Sequence, residues 1–142
     1  MADEAQFTGE YIEKDKAVRY FYPTGTAVVK GAAFCVDETM PWTAFAHSTN
    51  NDVLPAGFAA EDRESDDTQQ DSIGLVKKGR FLLVAGGNVL CGDSVELSAT
   101  ANRITSVPNV TQSNRRINRT LGVAMASGVA GQYILVNVDI KT

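Results

Sequence analysis

The sequence predicts an all-β fold: a small β-barrel or β-sandwich of about eight short strands, with a flexible N-terminal arm and one long loop insertion. Three observations carry that expectation. Apolar and polar residues alternate at a period of two, most cleanly in the last run. There Ile134, Val136, Val138 and Ile140 share one face, and Tyr133, Leu135, Asn137 and Asp139 share the other. Glycines separate the apolar runs at close spacing, as turns between short strands require. No stretch sustains the apolar spacing of a long helix.

Residues 1–16 are charged and lack a period, so they are expected to form the flexible arm, with a single β-domain over residues 17–142. The run AVRYFYP alternates Val18, Tyr20 and Tyr22 with Arg19 and Phe21 and is closed by Pro23. TAVVK and AAFCVDE follow, with Gly31 marking a bulge or tight bend between them. Residues 43–71 are mostly polar and read as a long loop, with room for one short helical turn in PAGFAAEDRES. The strand pattern resumes at Ile73, where GLVKK and RFLLVA read as two strands hinged at Gly79. Gly86-Gly87-Asn88 and Gly92-Asp93 are turns, and the second launches Val95 to Ser98. Arg103 to Val107 is a short strand ended by Pro108, and residues 109–119 form a polar loop. TLGVAMAS and GQYILVNVDI make a hairpin around Gly128-Val129-Ala130.

The chain has 142 residues, the size of one domain, and at 44% hydrophobic it can bury a core. A net charge of -4 argues against nucleic acid as a partner, since domains that bind it are usually basic. No apolar run approaches the roughly 18 residues of a membrane span, and MADEAQFTGEYIEKDK lacks the apolar stretch of a signal peptide. Synthesis in a reducing cytoplasm and no membrane contact are the expectations. Charge is unevenly spread. Glu61, Asp62, Glu64, Asp66 and Asp67 crowd one loop, and Arg115, Arg116 and Arg119 crowd another. In an oligomer the two loops could meet across a subunit boundary. Glu61, Asp62, Glu64, Arg115, Arg116 and Arg119 are therefore candidate inter-subunit contacts.

Few residues could do chemistry. A single histidine, His47, excludes any site needing two histidine ligands and suits a structural or exposed role. Cys35 and Cys91 lack CxxC spacing and lie in apolar contexts that suit buried free thiols. GGNVLCG matches neither phosphate-binding glycine motif. The acidic loop could hold a hard cation, although it lacks EF-hand spacing and a solvated loop is its ordinary role. No catalytic residue, metal or cofactor is expected, and the chain is not read as an enzyme.

From Ala17 onward the order of these pieces resembles the head-decoration, or cement, proteins of tailed bacteriophages. The likeness rests on TAVVKGAAFCV, IGLVKKGRFLLVA, GGNVLCGDSVELS, TLGVAMASGVAG and QYILVNV. Within them the family's steps fall at Gly79-Arg80-Phe81, Gly92-Asp93-Ser94-Val95 and Gly122-Val123-Ala124. Met40–Asp71 departs from the compact members. The resemblance implies a virion protein on the outer capsid surface, a homotrimer that clamps neighbouring subunits of the major capsid protein. On that reading Phe7, Tyr11 and Ile12, apolar residues in a polar arm, become the capsid contacts. The alternatives are another virion component (tail, head-tail or host-surface-binding) and a β-barrel module for a carbohydrate or other ligand. In the latter Trp42 would be the aromatic platform.

Overall fold

The computed structural model describes residues 3–7, 18–22, 27–48, 54–62, 72–107 and 119–140. These residues form strands, turns and bends, with eleven strands among them. The strands are β1 (Gln6–Phe7), β2 (Val18–Phe21), β3 (Ala33–Val36), β4 (Ala44–Ala46), β5 (Pro55–Ala59), β6 (Ser72–Val76), β7 (Lys78–Ala85), β8 (Ser94–Leu97), β9 (Arg103–Ser106), β10 (Thr120–Ala124) and β11 (Tyr133–Asp139).

The strands make two sheets, and each curls back on itself. The first runs β1-β7-β11-β10-β8-β9, and a further parallel pairing of β7 with β9 closes five of these strands into a small barrel. β7 is long enough for three partners. β11 lies along it from Lys78 to Val84, β1 pairs at Phe81 and Leu82, and β9 pairs at Val84 and Ala85. The second sheet, β2-β6-β5-β3-β4, is antiparallel throughout. A single parallel bridge between Phe21 and Thr43 brings its two edges together. Barrel and sandwich are thus both present, since two curled sheets pack on one another.

Alternation explains the packing. In β11 Ile134, Val136 and Val138 are buried, as is Ile140 just after it, while Tyr133 and Asn137 are exposed, as their spacing requires. They join Phe81, Leu83, Val95, Leu97, Ile104 and Leu121 in the barrel core. The inner strands of the second sheet, β3, β5 and β6, are buried on both faces, whereas the edge strands β2 and β4 each expose one face. In β3, Ala33 and Cys35 pack with the barrel while Phe34 turns into a separate core with Tyr20, Tyr22, Ala56 and Leu75. Phe58 meets Phe81 edge-on across the sheets at 5.9 Å, and Tyr22 meets Phe34 edge-on at 5.1 Å. Each fully buried large side chain of this kind contributes about 1.5–3 kcal/mol.

Three local expectations are corrected. Residues 43–71 contain β4 and β5, and the PAGFA segment is a strand instead of a helical turn. Its small residues have weak strand preference alone, and flanking by β3 and β6 decides the matter. The strands on either side of Gly79 are separated at Lys77, and Gly79 lies inside β7. Part of the expected arm is tied to the domain. Gln6 and Phe7 pair with Leu82 and Phe81, the Ala5 amide donates to Gly31 O at 2.8 Å, and Asp3 pairs with Arg103 at 2.8 Å. The Tyr133 hydroxyl donates to Glu4 O at 3.1 Å. This strap lies along the barrel and touches the second sheet's side at Gly31. Gly31 admits it, since its φ is +90° and a Cβ there would collide with the Ala5 carbonyl.

Candidate functional site

Among the polar residues singled out above, His47, Asp62 and Arg119 make bonds that hold the fold together. His47 is buried where β4 ends beside the β8–β9 turn. The Asn102 amide donates to His47 Nδ1 at 3.0 Å, so Nε2 carries the proton and donates to Ser98 O at 2.8 Å. Asn102 is itself in the left-handed region, with φ of 64°, and its Oδ1 accepts from the Ala33 amide at 2.9 Å. The group stitches the second sheet to the barrel and engages both ring nitrogens. Cys35 is fully buried, and loss of water around it pushes its thiol up to about 12. Cys91 is exposed, against expectation. The turn at Gly92-Asp93 starts early: Asp93 accepts from the Leu90 amide, so Val89 alone of this segment reaches the core.

Of the charged residues expected to face a neighbouring subunit, Arg119 instead finds a partner in its own chain, Glu96 on β8, at 3.4 Å, with both side chains largely buried. Charge at that depth is stabilised only by a partner, and β10 brings Arg119 beside β8. Glu61 and Asp62 are exposed, and Asp62 Oδ1 accepts from the Lys30 amide at 2.7 Å. Glu64, Arg115 and Arg116 lie outside the described residues, as do Tyr11 and Ile12 of the arm. Phe7 is described through its backbone pairing in β1.

Two exposed apolar areas remain. Leu90, Val123, Met125 and Val129 stand on the outside of the barrel where the β10–β11 hairpin meets the turn after Val89, beside Tyr133 on β11. Phe21, Met40, Trp42 and Phe45 gather where the second sheet closes. Trp42 is 70% exposed and has a φ of 56°. That conformation costs a bulky side chain roughly 1–2 kcal/mol. The turn imposes it, because the Phe21 amide must reach Trp42 O, a bond of 2.6 Å. The indole leans on the buried Tyr20 ring at 6.1 Å, and Lys77 Nζ lies 5.1 Å from the same ring.

Beside Trp42 is a groove of about 590 Å³, lined by Asp37, Glu38, Thr39, Met40 and Leu54 among others. Its loop is held from within. The Asp37 amide donates to Thr43 O at 2.9 Å, and Asp37 Oδ1 accepts from the Thr39 amide at 2.9 Å and hydroxyl at 2.7 Å. These bonds hold the Asp37 carboxyl below the ordinary carboxylate range. Phe21 lies on the Arg19 face of the alternating β2 run, whereas Met40 and Phe45 escaped the sequence reading, since apolar residues around MPWTAFAH carry no period that says which way they point. The single tryptophan was the only readable signal.

No family model and no curated protein matches the chain. Its fold does match a solved structure, the N base of head fiber gp8.5 of bacteriophage phi29. The TM-score is 0.52 at 12% sequence identity, covering 86% of this chain and 93% of that one. The two chains share the same fold over nearly their whole lengths.

Proposed function

We propose that this chain is a structural module of a phage head, a decoration protein that binds the outside of the assembled shell and clamps neighbouring major capsid subunits. The observation that carries the reading is the fold: a protein from a phage head fiber is built the same way over 93% of its length. The strand-and-turn order that resembles head-decoration proteins points in the same direction and is independent of that match.

The physical character of the molecule suits the role. Two curled sheets with continuous cores make a rigid body of fixed shape. Leu90, Met125 and Val129 offer apolar contact on the barrel exterior. A homotrimer would multiply several weak contacts into stable attachment. Co-sedimentation with expanded, undecorated shells of the phage that encodes the chain tests the proposal. Saturable binding to shells, with none to free capsid subunits, is expected. Failure to bind demonstrably intact shells would overturn it.

A further inference from the structure

We propose that a second copy of this chain docks on the outer face of the barrel, with the same face of each copy against the other. The inference extends the oligomer proposed above and does not depend on attachment to a head. It starts from alternation. In an antiparallel sheet with one face in water, the outward positions are normally polar. Here Val123 and Met125 are exposed on either side of the buried Ala124, and Val129 is exposed in the turn that follows. On β11, Tyr133 is exposed and Leu135 half-buried on the side away from the core. The bridge between Val89 and Gly128 leaves Leu90 and Val129 both on the outside. Register joins these residues into one surface. Leu82 on β7 lies opposite Leu135, and the Met125 amide donates to Leu135 O at 2.8 Å. The hydroxyls on this face are engaged within the chain. Ser127 Oγ accepts from the Cys91 amide at 2.9 Å, and the Tyr133 hydroxyl donates to Glu4 O.

Charge and area select the partner. Along β7 and β11 charged side chains enter this face only at its far end, with Arg80 opposite Asn137 and Lys78 paired with Asp139 at 3.6 Å. The chain carries a net charge of -4, so two copies repel at most approaches. At the apolar part of this face they can meet without setting like charges against one another. A partner with a charged surface would lose water from its charges and find nothing there to pair them. A second copy brings an apolar surface of the same composition. The exposed apolar residues offer on the order of 500 Å², at the upper end of what a lone chain exposes in one patch. With a polar rim, the face approaches the roughly 800 Å² that each member of a stable pair buries.

Met40 and Met125 supply an internal comparison, since they are 54% and 40% exposed in the single chain and lie in different apolar areas. The test is analytical ultracentrifugation of the full chain over a concentration series, with oxidation by dilute peroxide read by peptide mass spectrometry. A reversible oligomer is expected, in which Met125 oxidises about tenfold more slowly than Met40. Dilution to the single chain should bring the two rates close together. Met125→Lys should sediment as a single chain with the circular dichroism of the parent, because like charges would then meet across the contact. A chain that stays monomeric at every concentration, or an oligomer in which Met125 oxidises as fast as Met40, would overturn the proposal. So would protection of Met125 that appears only with phosphatidylcholine vesicles, which would assign the face to lipid. None of these readouts involves shells, so failure to self-associate and failure to decorate a head are told apart.

Discussion

A buried histidine with both ring nitrogens engaged cannot be removed without leaving partners behind. His47→Ala would strand Ser98 O and the Asn102 amide between the two sheets. Urea denaturation should show a loss of about 2–4 kcal/mol. An unchanged midpoint would mean that water replaces the ring at no cost. Cys35 gives a second prediction. Its thiol is raised from an ordinary value of 9.0 to about 12 by burial. The folded state therefore holds its proton where the unfolded state has released it. That contribution is full below pH 9.0 and is lost as pH rises towards 12. A thiol reagent at neutral pH should label Cys91 alone in the native chain and both cysteines in denaturant. At this scale the sequence was readable where chemistry forbids alternatives. One histidine cannot make a two-histidine site, and Cys35 sits in an apolar strand. It was unreadable where backbone geometry decides. Cys91 is exposed because a turn begins one step early, and nothing in the letters around Trp42 announces a positive φ.

Strands were legible in proportion to their alternation. β11 shows an unbroken period of two, and its buried and exposed sets follow it. β5 has no such signal, because proline, alanine and glycine make poor strands in isolation and only their neighbours order them. Two glycines test how elements approach one another. At Gly122 a Cβ would run into the Asn137 carbonyl of β11. Gly122→Ala should therefore part β10 from β11 and cost about 1–3 kcal/mol, read by thermal melting. Gly31→Ala should release the N-terminal strap while sparing the barrel. Amide exchange at Ala5 should rise sharply, and exchange at Val136 should stay slow. If both amides quicken together, the strap is part of the barrel's own stability.

For the molecule as a whole, composition and period were enough to expect barrel or sandwich. Closure was hidden, because the parallel pairing of β7 with β9 and the bridge from Phe21 to Thr43 join segments with no local relation. The exposed apolar surface was partly legible: the lone tryptophan drew notice, but the exposure of Leu90 and Met125 did not show in their apolar, strand-like surroundings. Cryo-electron microscopy of heads from phage that carry or lack this chain tests the proposed function most directly. A head-decoration protein predicts difference density of about its size outside the shell, repeated at the lattice points where capsid subunits meet. Identical head surfaces, or difference density confined to the tail, would contradict it.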